Sequence, residues 1–503
     1  MNVKPYLKDF GFSHRESKHM VVAKGEKLWI SLAATGGFMT SAGADPGAVS
    51  AGLLEINLFD GGTELAYTYS ATESLIVLES AKGAVRIAID APSNALLFEG
   101  EGVTLQLNAG SAGQFVTSLK TPAGIELSIG GGRYLFAAKR GSVEFDDTWI
   151  LSQFHSVTPI LTLSPEGGKV ALVAYELPVD TTPVEITRTL DECAKGNAAE
   201  FAAFKDGLVA TPAEWDDVRD NIAYLLWINK GTLLSGAQVV LENKRRSPDT
   251  QARFQAIASL AFKDADTALG LLTALPFDAP PVESIALLRL IDEGALARAH
   301  RGTVYDLYNA LGDSARQWAR ERSVTPGLYA YAYRFETGIK KTTLFGAGEP
   351  VAAPDLNAYL LLQSEALAKL AESVWESGDA IRWRESVKTQ RAALIAHLWN
   401  GETFVGENVR TGAKSAPDPV LSYMPLVLGK RLPAEIAEKL AQSVDGEALE
   451  SAIGTLAILG LKDAGCDEAA SKLTLAALGR ARADGVDCPF YGAALLALAH
   501  KVL

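Results

Sequence analysis

"PVEITRTLDECAKGNAAEFAAF", Pro183–Phe204, is the stretch at which the hydrophobic rhythm of the chain changes. Upstream of it, apolar residues alternate with polar ones in short runs such as "KLWISLA", "LLEINLF", "SLIVLES", "AVRIAID", "VTLQLNA" and "KVALVAYEL". The turns between them, "DGG", "AKG", "NAG" and "EGG", supply the glycine and polar residues that reverse an antiparallel strand. From the stretch onward apolar residues return every three or four positions, the period of a helix with one buried face. The reading is therefore an antiparallel β-sandwich over 1–185, a helical linker over 186–212 and a helical domain over 213–503.

Twelve helices are predicted in that domain, at 213–231, 250–262, 265–275, 281–294, 303–322, 355–378, 379–400, 418–429, 433–444, 450–464, 467–481 and 490–502. Several open on a capping residue or proline, as in "TPAEWDD", "APDLNAY" and "RLPAEIAEKL". No consensus recurs at a fixed period, which favours an (α/α)6 toroid over a solenoid. The fold class is mainly α with an N-terminal β domain.

Charge and composition narrow the partners. With 47 basic against 60 acidic residues and a net charge of −13, the chain repels nucleic acid and anionic membrane. No run approaches the ~18 apolar residues of a spanning helix, and no export signal is read, so a cytoplasmic protein is expected. Three well-separated cysteines, Cys193, Cys466 and Cys488, suggest reduced thiols, and six histidines without ligand spacing suggest no metal. No cofactor is assigned. A small saccharide or glycoside, neutral or anionic, is the expected partner; oligomeric state is not readable.

Within the helical half, "WDDVRDNIAYLLWINKG", "LYNALGDSARQWARERS", "YRFETGIKKTTLF", "APDLNAYLLLQSEALAKLAE", "LWNGETFVGENVRTG" and "SYMPLVLGKRLPAEIAEKL" occur in order. In that order they resemble the (α/α)6 glycoside hydrolases of the group containing processing α-glucosidase and mannosylglycerate hydrolase, glycoside hydrolase family 63. The resemblance implies the toroid and a carbohydrate-active site in its mouth, with inverting chemistry if it hydrolyses. It is similar chiefly over residues 213–445.

The resemblance also implies site residues. Glu336, Thr337 and Gly338 match the family's E-S-G-x-D-N segment, but Lys340 stands where that segment carries its general acid, and Lys341 where asparagine is usual. Asp249 matches a sugar-holding aspartate whose neighbouring tryptophans are absent here. Asp355, Leu356 and Asn357 match the family's "DLN" helix. Asp487, two residues before Pro489, is the nearest match to the general base, with Asp484 beside it. Glu336 and Asp487 are thus the candidate catalytic residues, and Asp249, Lys340, Lys341, Asp355 and Tyr333 the candidate substrate-binding ones.

Plainer roles compete with each. Asp355 in "PDLN" and Asp249 after Pro248 read equally as helix-capping acids, Glu336 as a capping or solvent-facing glutamate, and Asp487 as a turn residue beside Gly485. Glu349 offers a displaced acid. An ammonium, with an ordinary pKa near ~10.4, is a poor proton donor at neutral pH, whereas it binds carboxylate or phosphate well. A catalytically silent sugar-binding relative, or lyase or epimerase chemistry on the same barrel, are the alternatives to a glycosidase.

Overall fold

The computed structural model describes residues 1–13, 20–32, 52–108, 117–129, 132–146, 159–177, 181–243, 251–277, 280–296, 301–339 and 341–503. These fall into two compact units, one made mainly of the chain up to Asp206, the other mainly of Thr250–Leu503.

In the first unit, two antiparallel sheets follow from the alternating runs. One carries, in order, Met20–Lys24, Lys27–Leu32, Gly52–Asp60, Thr104–Asn108, Ile160–Ser164 and Ser142–Asp146, with Thr63–Leu65 paired to the third. The other runs Thr117–Thr121, Gly124–Ile129, Gly132–Arg140, Lys169–Leu177, Ala95–Glu101, Ala84–Asp90, Ile76–Ser80 and Tyr67–Ala71. Leu54, Leu107 and Leu161 of the first sheet meet Ile125, Leu127 and Phe136 of the second across a shared apolar layer. Where only one face is covered the burial alternates, as in Thr104–Asn108 with Leu105 and Leu107 inside.

Lys169–Leu177 is instead buried nearly throughout, because helix α1 (Leu190–Asp206) covers its second face. Leu190 and Cys193 of α1 join Ala88, Leu97, Leu135, Val173 and Tyr175 in one cluster, and Asn197 donates to the Ile89 carbonyl at 2.9 Å. The helix starts where it does because Thr189 and Glu192 form a capping box: Glu192 accepts from the Thr189 N–H at 2.8 Å, and the Thr189 hydroxyl accepts from the Glu192 N–H at 3.2 Å.

Chain order then gives α2 (Asp216–Ile228), α3 (Ala252–Ser259), α4 (Ala265–Leu272), α5 (Glu283–Asp292), α6 (Arg301–Arg322), α7 (Pro354–Ser373), α8 (Ser377–Leu398), α9 (Ala434–Ser443), α10 (Gly454–Asp463), α11 (Asp467–Asp484) and α12 (Pro489–Val502), with a 3-10 segment at Met424–Arg431 before α9. In the second unit the 3-10 segment and α3, α5, α7, α10 and α12 pack neighbour on neighbour, and α12 returns to α3, closing a ring of six. Outside it α4 backs α3, α6 and α8 back α7, α9 backs the 3-10 segment, and α11 backs α10 and α12. The start of α2 meets α12, with Ile222 against Gly492. This is the (α/α)6 toroid that the sequence predicts.

The ring is tight where side chains are small. A Cβ on Gly460 of α10 would lie 1.9 Å from the Leu426 carbonyl oxygen, so only glycine lets α10 approach the 3-10 segment. The wholly helical reading of the second half needs correction at two places: Lys230–Thr232 and Gln238–Val240 form a two-stranded sheet, the first strand ending the helix predicted at 213–231 early, and Ser323–Thr325, Leu328–Tyr331, Val351–Ala352 and Glu407–Asn408 form a small antiparallel sheet. No described helix is long and apolar enough to cross a membrane.

Candidate active site

The "YRFETGIKKTTLF" stretch, Tyr333–Phe345, belongs to an excursion whose two ends are neighbouring strands, Tyr331 pairing with Val351 and Ala330 with Ala352. Helix α7 fixes the first of these strands. Its Asp355 Oδ2 accepts from the Tyr331 hydroxyl at 2.8 Å, and its Asn357 makes two 2.8 Å bonds to the backbone of Tyr329. Asp355 and Asn357, two apart on the helix, thus grip Tyr331 and Tyr329, two apart on the strand. Pro354 takes the first position of α7, where its missing N–H costs nothing, and Ala353 is the cap. The "DLN" motif serves here as a clasp.

Side chains that the excursion meets hold it further along. Glu336 Oε1 pairs with Arg322 at 2.7 Å, while its Oε2 accepts from the N–H groups of Ala332 at 2.6 Å and Tyr333 at 3.2 Å. Glu349 accepts from the Arg334 N–H at 3.0 Å, and buried Asp418 accepts from the Thr343 N–H at 2.8 Å. Arg253, at the start of α3 and 5 % exposed, donates to the Thr337 carbonyl at 3.0 Å. Gly338 sits at φ +69°, and a Cβ there would lie within 2 Å of the Arg253 guanidinium. The glycine of "ETG" is therefore required twice over, by its backbone angle and by its neighbour.

A cavity of about 430 Å³ opens between this excursion, the first residues of α3, the approach to α5 and one face of α6. Ser314, Gln317, Trp318, Glu321 and Arg322 line it, an i, i+3, i+4, i+7, i+8 stripe of a single helix. Opposite stand Gln251, Arg253, Phe277, Pro280, Phe335, Glu336 and Gly338. Trp318 meets the buried Tyr331 edge to face at 6.3 Å, linking the cavity wall to the clasp behind it. There Asp355 is 1 % exposed, and burial lifts its carboxyl from the ordinary aspartate range to about 7, with the Tyr331 hydroxyl pulling part of that rise back. Asp418 adds to the rise by repulsion, and burial also drives the Tyr331 and Tyr359 hydroxyls well above their usual values. A carboxyl that is only partly ionised near neutral pH thus lies behind the tryptophan wall.

The candidates of the sequence reading are not brought together as one set. Glu336 lines the cavity with both oxygens engaged. Tyr333 is exposed at its rim, Lys341 is exposed, and Asp487 is exposed just before α12. Asp249 and Lys340 lie outside the described residues. Arg253 and Arg322 carry no signal in the sequence, since each meets the excursion across a long sequence separation or from a helix surface, where an arginine has no distinguishing pattern. Trp318 is one of several tryptophans on helices, and its stripe on α6 is the signal that separates it from Trp227, which is buried beside Phe201 and Tyr224 in the first unit. Among the described residues no group of three or more histidine, cysteine, aspartate or glutamate side chains is placed to hold a metal.

Residues 243–455, which contain all of these cavity residues, match the model of the mannosylglycerate hydrolase MGH1-like glycoside hydrolase domain. The likeness read from the motifs is thereby shown. A mannosylglycerate hydrolase of family GH63 from Thermus thermophilus, solved with Tris and D-glycerate, is similar at 14 % identity and a TM-score of 0.42, over 60 % of this chain and 98 % of its own. A GH92 inverting mannosidase from Bacteroides thetaiotaomicron is similar at 9 % identity and a TM-score of 0.46, over 91 % of this chain and 73 % of its own. At these scores the family match carries the likeness. No curated protein matches the chain.

Proposed function

We propose that the mannosylglycerate hydrolase-like domain binds a small saccharide or glycoside in the cavity between α6 and the Tyr333–Phe345 stretch, and acts on it as a glycosidase. The observation that carries this reading is the make-up of the wall: Trp318 and Phe277 supply aromatic groups, Gln251 and Gln317 supply amides, and Arg253 and Glu336, held by their own protein partners, add charge beside them. A sugar ring presents the same alternation, with C–H groups on its faces and hydroxyls at its edge. Asp355 supports the wall through Tyr331, whose ring Trp318 meets edge to face.

Hydrolysis with inversion needs an acid and a base roughly 6.5–9.5 Å apart. In this reading Asp487 is the base that takes a proton from the attacking water, Glu336, the other catalytic candidate, is left to protonate the departing oxygen, and Lys340 and Lys341 bias the site toward an anionic aglycone rather than donate that proton. The engaged state of Glu336 favours a second reading, a sugar-binding domain without turnover, because a carboxylate already paired with Arg322 and two N–H groups is poorly placed to move a proton.

Hydrolysis of a panel of aryl glycosides and disaccharides, run beside binding of the same compounds, separates the two. Turnover that Asp487→Asn abolishes supports the glycosidase; binding that Trp318→Ala removes, without turnover, supports the silent relative. If no compound either binds or turns over, the saccharide reading falls. Lys340→Met should weaken anionic members of the panel by about tenfold and leave neutral ones nearly unchanged, as loss of one charge-assisted bond implies.

A further inference from the structure

Two aromatic side chains stand at the cavity rim with their faces in water. Tyr333 is 53 % exposed and Phe335 73 % exposed, and their rings stack at 5.4 Å with only 6° between their planes. Phe335 is also part of the cavity lining. Large aromatic groups are normally covered, since each forfeits well over ~100 Å² of possible burial when left in solvent. Here the backbone beneath both rings is pinned. Glu336 holds the N–H groups of Ala332 and Tyr333 and is itself fixed by Arg322, while Glu349 holds the N–H of Arg334 between the two rings. Four polar contacts thus fix the backbone that carries an exposed apolar pair, an arrangement that packing alone does not call for.

We infer that Tyr333 and Phe335 form an outer subsite that stacks the second ring of the ligand, so that the preferred ligand is a two-ring glycoside rather than a free monosaccharide. The inference rests on the saccharide reading of the cavity. The occupant follows from continuity: Phe335 belongs to cavity and platform alike, so a ligand seated against Trp318 and extending outward passes over the pair. An aromatic face carries partial negative charge and meets the weakly positive C–H face of a pyranose or the edge of a phenyl aglycone. Because the pair is fixed before the ligand arrives, stacking costs little ordering of the protein.

The test is titration calorimetry of the whole chain with glucose, mannose and galactose, the phenyl glycosides of each, and their homodisaccharides. Phenyl glycosides or disaccharides should bind about tenfold more tightly than the matching monosaccharide, a ratio equivalent to about 1.4 kcal/mol. In Tyr333→Ala/Phe335→Ala that ratio should fall to near one. Tyr333→Leu/Phe335→Leu, which keeps apolar area and loses the ring faces, should give the same result, and circular dichroism verifies folding of both. A ratio near one in the unmodified chain, or a tenfold ratio that survives both double variants, overturns the outer subsite while leaving the cavity reading intact. Absence of binding by every compound overturns both.

Discussion

The two ends of the helical ring use their polar groups in opposite ways. At the end where α3, α5, α10 and α12 finish, a cavity of about 280 Å³ is lined in part by Arg289, Asp292, Glu293 and Arg431, which belong to ion pairs. Arg431 takes both oxygens of Glu365, with one contact at 2.7 Å; Lys369 bridges Asp292 at 2.6 Å and Glu365 at 3.5 Å; and Arg289 pairs with Glu293 at 2.9 Å. At the other end charges are spent on backbone, holding a long excursion in one shape, and aromatic faces are left to the solvent. Closed charge networks belong to an end built for stability, while pinned loops with uncovered aromatics belong to an end built to meet something.

The sharpest way to break this contrast is at the closed end. Burial raises the Glu365 carboxyl, but the Arg431 guanidinium outweighs it and holds the group below its ordinary range. Glu365→Ala leaves Arg431 only 18 % exposed and without its carboxylate, and the expected loss is about 3 kcal/mol, as for other half-broken buried pairs. Urea denaturation measures it. A change under ~0.5 kcal/mol, the scale of an ordinary surface substitution, would show that the closed end is not held by its charges.

The next effect lies behind the open end and is visible in pH. Asp355 releases its proton at about 7 when folded but near ~3.9 when unfolded, so between those values the folded chain binds the extra proton. Stability is full below about 4 and falls as pH rises toward 7, at up to about 1.4 kcal/mol per unit from this group. The charged or titratable groups acting on this site are Tyr331, Tyr359, Asp418 and Arg253. Asp355→Asn still accepts from the Tyr331 hydroxyl and removes the slope. Denaturation midpoints at pH 5, 6, 7 and 8 that run parallel in both proteins would refute the neutral-acid assignment.

The smallest expected effect is Gly338→Ala. Its positive φ and the Arg253 guanidinium in the way of a Cβ together cost about 1–2 kcal/mol of stability. The displaced Arg253 should weaken saccharide binding more than the melt suggests. A variant with unchanged melt and unchanged binding would mean that the excursion is not fixed at this point.

Much of this architecture is legible in the order of residues. The period change at Pro183–Phe204 separates sheets from helices, and the helices fall in the predicted order because most carry an apolar face, as α7 and α12 do. The exception, predicted as a helix at 418–429, forms instead as the 3-10 segment Met424–Arg431, where Pro425 lacks a donor and Gly429 leaves helical angles. Strands of two to four residues, such as Val351–Ala352, are too short to show alternation and exist only because partners lie beside them. The site is less legible for the same reason. "PDLN" reads as a helix cap, yet Asp355 reaches back to Tyr331, and the grip of Arg253 on Thr337 joins residues 84 apart. Such contacts are made by the fold and leave no local pattern.

The clasp between "DLN" and the Leu328–Tyr331 strand has an evolutionary consequence. Both ends of the excursion are anchored, at Tyr331 and Val351, to elements whose positions do not depend on what lies between them. Loop closure between fixed ends grows costly only slowly with length, so the exposed part of residues 332–350 forms a replaceable cassette, seated by buried Thr337, Leu344 and Phe345. Lineages can lengthen, shorten or recharge that cassette while the frame stays still, which is how a toroid keeps its shape as its ligand changes.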